Sequence, residues 1–246
     1  MAQNAIRFEL PLAKDPFKVS KIFDKNIFEN IKKQVLEIGL GPDSHHPYHT
    51  TLGRWESGIQ FDEKTESEIL KRAREVYEND DIEKAYYFIS RYQKINGNIP
   101  NLWEHMDQYA CQMTIDLCVD KNNLDWGLLV NGQLFEEEEN SAICFFGQQQ
   151  AHGRPEYPTD SEESYITLLF LHFVTKDHWF YTSKTEEERM SNFKKYALDG
   201  DIRYFYQTGN ISKPNLPENQ KMCDCHKSYN TDEVVLKRVK DAENAK

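Results

Sequence analysis

The chain has 246 residues and carries 41 acidic against 30 basic side chains, a formal net charge of −11. Its basic residues form no long stripe able to follow a phosphate backbone, which argues against nucleic-acid binding. Met1 to Leu12 has no apolar run after a basic start, and no stretch nears the ~18 apolar residues that cross a bilayer, so the expectation is a soluble cytoplasmic protein without a membrane partner.

That length can bury the core of one large domain. The spacing of Ile27, Ile31, Val35 and Ile38 predicts an amphipathic helix over 27–38, ended by Gly39 and Gly41. Gly41 to Gly58 is rich in turn formers and aromatics. Glu63 to Asn79 reads as a second helix, with Ile69, Ala73 and Val76 inward. From Ala85 the period changes. Tyr86–Tyr92, Tyr109–Val119, Trp126–Leu134, Ser141–Phe146 and Tyr165–Val174 are aromatic and β-branched, as strands are. Strands this close in sequence, joined by turns too short for crossover helices, pair antiparallel in a sandwich or jelly roll. Glu186 to Leu198 reads as a further helix before a polar tail. The division expected within a single domain is 1–85 helical and loop-rich, 86–182 β-core, and 183–246 helical with a polar tail.

Glu136 to Glu139, the only charge run, reads as a solvated hairpin loop, because four unpaired carboxylates repel one another. Cys111, Cys118 and Cys144 lie in apolar runs, as reduced thiols do in a reducing compartment.

His105-Met106-Asp107 and His152-Gly153-Arg154 carry the chemistry. In an extended segment residues i and i+2 share a face, so His105 and Asp107 can converge on one ion, with His152 brought opposite by a neighbouring strand. Two imidazoles and a carboxylate are the ligand set of a non-haem iron(II) site with open positions.

The order Phe88-Ile89-Ser90-Arg91-Tyr92, Gly97, Pro100, Leu102, His105-x-Asp107, strands, then His152-Gly153-Arg154-Pro155 resembles the iron(II)- and 2-oxoglutarate-dependent oxygenases of the double-stranded β-helix superfamily, in their prolyl-hydroxylase-like branch. The resemblance covers roughly 86 to 175. It implies an α+β, mainly antiparallel fold with a jelly-roll or cupin-like core flanked by N- and C-terminal helices. It also implies iron(II) on His105, Asp107 and His152, with 2-oxoglutarate and oxygen as co-substrates. Asp107 argues for hydroxylation or another oxidative step, since halogenating members resemble this pattern without that carboxylate.

The chain departs from the family where an arginine or lysine on the strand after the distal histidine pairs with 2-oxoglutarate. Glu162-Glu163-Ser164-Tyr165 stands there, and no lysine or arginine follows Arg154 until Lys176. A buried dicarboxylate needs a cationic partner. Arg154, two residues past His152, is the first choice and Arg91 the second, with Tyr92, Thr167 and His172 adding hydrogen bonds. Tyr48, Arg54 and Trp55, in or beside the loop Ser44-His45-His46-Pro47-Tyr48-His49, are the expected substrate contacts. The substrate expected is a small molecule, an amino acid or a peptidyl side chain oxidised at an aliphatic carbon. The alternative is a metal-binding β-helix protein, or a dioxygenase that does not use 2-oxoglutarate. Cys223-Asp224-Cys225-His226 supplies too few ligands at zinc spacing. Edge strands leave a homodimer open.

Overall fold

Asp24 caps α1 (Lys25–Leu36) by accepting the Asn26 and Ile27 amides, and the helix turns Phe28, Ile31 and Val35 to one buried face. Asp62 caps α2 (Glu63–Tyr77) by accepting the Thr65 amide, and that helix buries Thr65, Ile69, Ala73 and Tyr77. The computed structural model describes residues 13–188, 191, 200–224 and 232–244.

Both helices cover one face of a seven-stranded antiparallel sheet. Its strands are β1 (Phe17–Val19), β2 (Tyr48–His49), β3 (Arg54–Gly58), β4 (Ile82–Gln93), β5 (Met113–Asn122), β8 (Ala142–Phe145) and β10 (Tyr165–Thr175), in the order β1-β8-β5-β10-β4-β3-β2. A smaller sheet holds β6 (Leu128–Val130), β7 (Gln133–Phe135) and β9 (His152–Gly153), in the order β7-β6-β9, with His105 bridged to His152 at its end. From β4 onward the chain passes back and forth between the sheets: β4, the His105 bridge, β5, β6 with β7, β8, β9, β10. Two sheets wound in this way are a double-stranded β-helix.

Strand alternation divides the residues of the large sheet between two environments. Tyr87, Ile89, Ile115, Leu117, Leu169 and Leu171 pack with the helices in the main core. Tyr86, Phe88, Thr114, Asp116, Phe170 and His172 line a cavity of about 1100 Å³. Among the described residues three helices follow: α3 (Trp179–Thr182), α4 (Gly200–Thr208) and α5 (Asp232–Asn244). Ile202 of α4 packs with Val235 and Val239 of α5.

The structure differs from the sequence reading in several places. The run 126–134 is a hairpin, not one strand, because Asn131 and Gly132 both take positive φ, 49° and 78°, as a type I′ turn requires. The second expected strand, 109–119, begins at Met113 as β5, not at Tyr109. The first 85 residues add β1, β2 and β3 to the large sheet, so the expected boundary at residue 86 cuts through it. Residues 232–244 of the expected polar tail are helical. Most of the expected helix 186–198, and Cys225 and His226, lie outside the described residues. Among the described residues, no helix is long and apolar enough to cross a membrane.

Candidate metal centre

The site starts from a short backbone ladder. The His105 amide donates to the His152 carbonyl and the His152 amide to the His105 carbonyl, each at 2.9 Å, while the Asp107 amide donates to Gly147 at 2.9 Å. The chains can approach this closely because two residues carry no side chain. A Cβ on Gly153 would lie 2.8 Å from the Glu104 amide nitrogen, and one on Gly147 would lie 2.2 Å from Asp107 Oδ2.

The imidazoles are oriented by the backbone. His105 Nδ1 lies 2.8 Å from the Trp103 carbonyl and His152 Nδ1 lies 2.9 Å from the Gln150 carbonyl. A carbonyl only accepts, so each Nδ1 is the protonated nitrogen and each Nε2 keeps its lone pair for an ion. Those Nε2 atoms lie 3.7 and 3.4 Å from Asp107 Oδ1. Burial, reinforced by His152, pushes the His105 pKa down to about 4, so its ring is neutral at neutral pH. Burial opposes ionisation of Asp107, but the surrounding imidazoles outweigh it and hold its carboxyl well below the usual range. Burial also disfavours charge on His152, yet the Asp107 carboxylate raises its pKa. Asp107 Oδ2 is buried with no hydrogen-bond partner. A buried, ionised carboxylate whose second oxygen has no donor fits a cation. The donor set of two nitrogens and one carboxylate oxygen suits iron(II).

His172 lines the same cavity, its Nδ1 3.0 Å from Thr114 Oγ1, and burial lowers its pKa to about 4. Arg54 also lines the cavity. It donates to Tyr92 Oη and, at 2.7 Å, to Glu56, while its Nε has no partner.

Other expected contacts lie elsewhere. Arg154 faces the barrel interior but does not line the cavity. Its guanidinium is fully buried, donating to both oxygens of Glu137, to Asp116 at 3.2 Å and to the Trp126 carbonyl. This also corrects the reading of the 136–139 run, since Glu137 is buried as the partner of Arg154. Two carboxylates share one arginine there, and burial together with Glu137 pushes the Asp116 pKa well above its usual value. Arg91 and Thr167 face away from the metal centre, into a separate hollow beside Gly41 and Ser44, because they alternate with Tyr92 and Leu168 and share the side of Ile89 and Leu169, which pack in the main core. Arg91 stacks 3.6 Å from the Tyr165 ring centroid. Tyr92 is buried and reaches the cavity only through Arg54. Trp55 alternates away from Arg54 into the main core, and Tyr48 packs against it and donates to the Gln93 carbonyl at 2.8 Å. Glu56, Tyr86, Thr114 and Asp116 reach the cavity without having been singled out. Tyr86 was the accessible one, since it shares strand parity with Phe88.

No protein-family model matches the chain, and no curated protein does. Among solved structures its neighbours are 2OG-Fe(II) oxygenases and prolyl hydroxylases. A viral collagen prolyl hydroxylase from Paramecium bursaria Chlorella virus-1 is 11% identical with a TM-score of 0.45, over 66% of this chain and 91% of that one. A 2OG-Fe(II) oxygenase-family oxidoreductase from Burkholderia pseudomallei is 10% identical with a TM-score of 0.46, over 66% and 85%. A Pseudomonas putida prolyl-4-hydroxylase is 9% identical with a TM-score of 0.46, over 65% and 92%. Overlaps of this size carry no argument about the reaction.

Proposed function

We propose that this chain is an iron(II)- and 2-oxoglutarate-dependent oxygenase that hydroxylates an aliphatic carbon of a small molecule, an amino acid or a peptidyl side chain. The observation that carries the reading is the convergence of two Nε2 atoms and one carboxylate oxygen, with both Nδ1 atoms tied to backbone carbonyls. Bound iron(II) with 2-oxoglutarate would supply oxygen activation, the overall change being substrate C–H, oxygen and 2-oxoglutarate to C–OH, succinate and carbon dioxide.

The protein's own part is binding and positioning. The Trp103 and Gln150 carbonyls hold the imidazoles neutral at Nε2 and aimed at one point. Arg54 lines the cavity and its charge adds a little to the burial that depresses His105, and we assign it the far carboxylate of 2-oxoglutarate in place of Arg154. Tyr92 and Glu56 fix the guanidinium on two sides and leave Nε free. Tyr86, Phe88 and Phe170 give the cavity an aromatic wall that keeps water from the reacting carbon.

A second reading, a metal-dependent dioxygenase or metal-binding β-helix protein without 2-oxoglutarate, is favoured by one observation. The carboxylate of Asp116 lines the cavity, whereas its partner Arg154 does not. Anaerobic titration of the iron(II)-loaded protein with 2-oxoglutarate separates the two. A visible charge-transfer band that vanishes in His152→Ala supports the first reading. Bound iron with no band at saturating 2-oxoglutarate transfers the assignment to the second.

A further inference from the structure

We propose that the carboxylate of Asp107 is shared with a second metal site, in which Cys111 and His172 complete the protein ligands to a zinc-like divalent ion. The proposal rests on the metal-centre reading for Asp107 and goes beyond it, since neither Cys111 nor a second ion has a part in the oxygenase chemistry.

One ligand atom each from Asp107, Cys111 and His172 lie within 4.8 Å of one another, a cluster that a small ion can draw in. The three reach this point from different parts of the fold. Asp107 follows the bridged His105, Cys111 lies two residues before β5, and His172 projects from β10 into the cavity. His172 is already oriented, because Thr114 Oγ1 occupies its Nδ1 at 3.0 Å and leaves Nε2 as the free nitrogen. Cys111 is 1% exposed, and its sulfur lies 3.1 Å from the Tyr86 hydroxyl, a donor able to stabilise a thiolate. Asp107 directs Oδ1 toward the two imidazoles of the first site and keeps Oδ2 buried and unpartnered, so one carboxylate has an oxygen for each ion.

A nitrogen, an oxygen and a sulfur donor form a softer set than the first group and suit zinc. Tyr86, Asp107 and His172 all line the cavity, so the fourth position opens where a water or a substrate atom can enter. Binding replaces the thiol proton: Cys–SH and M²⁺ give a Cys–S–M bond and one released H⁺. An aspartate that joins two ions is the arrangement by which paired metal sites hold their ions a few ångströms apart.

Cobalt(II) reports the site directly, because only a thiolate ligand gives an intense near-ultraviolet sulfur-to-cobalt band and the first site contains no sulfur. Metal-stripped full-length protein, reconstituted with cobalt(II) and freed of excess, is expected to hold two ions per chain and to show that band. Cys111→Ser and His172→Gln should each lower the content to one ion, and Cys111→Ser should abolish the band. His152→Ala should lower the content to one ion and keep the band. One cobalt per wild-type chain with no sulfur band overturns the proposal, as does a band that survives Cys111→Ser. One cobalt with the band, insensitive to His152→Ala, leaves the second site standing and instead overturns the first.

Discussion

Gly147 decides where the Asp107 carboxylate can stand. A methyl group there would lie 2.2 Å from Oδ2 and 2.9 Å from Cγ, so Gly147→Ala must rotate the carboxylate away from the imidazoles. Because a displaced ligand loses its geometry while the fold survives, iron(II) affinity is expected to fall roughly ten- to a hundredfold in a competition titration. Unchanged affinity would mean that Asp107 does not ligate the metal. Two arginines separate in the same way. Arg154 balances the buried Glu137 and Asp116, so Arg154→Met leaves uncompensated charge and should cost about 3–5 kcal/mol in urea unfolding. Arg54→Ala removes a charge-assisted contact worth about 1.5–3 kcal/mol, and should weaken 2-oxoglutarate roughly ten- to a hundredfold while iron affinity holds. If Arg54→Ala leaves 2-oxoglutarate affinity intact, Arg54 is not the partner of the co-substrate's far carboxylate. The i+2 reading set Arg154 on the face of His152, but β9 ends at Gly153 and Arg154 does not line the cavity that His152 lines, and the sequence held no sign that Glu137 and Asp116 already occupy that guanidinium. Those partners lie 17 and 38 residues away, and no local period encodes such a contact.

At the scale of elements, legibility followed the strength of the period. The two amphipathic helices and the long strands β4 and β10 were readable because each repeats its apolar pattern over many residues. Short elements were not. β6 and β7 have three residues each, β9 only two, and their pairing is set by the sheet they join rather than by propensity. The Asn131-Gly132 turn was the one local signal for the β6–β7 hairpin, flanked as it is by apolar residues. The tie between α2 and the sheet was likewise invisible. Tyr77, the last residue of α2, donates from its hydroxyl to the Thr114 carbonyl at 2.6 Å and lies 3.0 Å from the Phe145 carbonyl, two residues paired across β5 and β8. Tyr77→Phe should therefore lower stability by about 1–2 kcal/mol, read as a reduced urea midpoint. Its iron(II) affinity should stay at the wild-type value, because the residue acts on the helical side of the sheet. An unaltered midpoint would show that this hydroxyl does not clamp the helix.

The two sheets bury histidines between them, and that links the stability of the whole metal-free protein to pH. His105 and His172 titrate near 4 in the folded chain, chiefly because burial disfavours the imidazolium, whereas an unfolded histidine titrates near 6.5. Between those values the unfolded chain binds protons that the folded chain refuses, so acidification favours unfolding. The stability these rings leave intact above pH 6.5 is lost as pH falls toward 4, by at most about 3 kcal/mol for each ring. His152, whose folded value is raised by Asp107, works the other way: its contribution is full below the unfolded value and fades as pH rises through the folded one. With His178, whose pKa burial also lowers to about 4, three depressed rings stand against one raised ring, and the net trend is a loss on the acid side. Urea midpoints of metal-free protein should thus fall steadily from pH 6.5 to 4.5, and His172→Gln should flatten the slope by one ring's share. Since each proton taken up by a ligating imidazole also excludes a metal ion, iron-loaded protein should show a steeper acid loss than the metal-free form. A metal-free midpoint that stays level across this window would mean that the two rings are reached by water, and the barrel interior is not the dry, preorganised cavity on which the proposed chemistry depends.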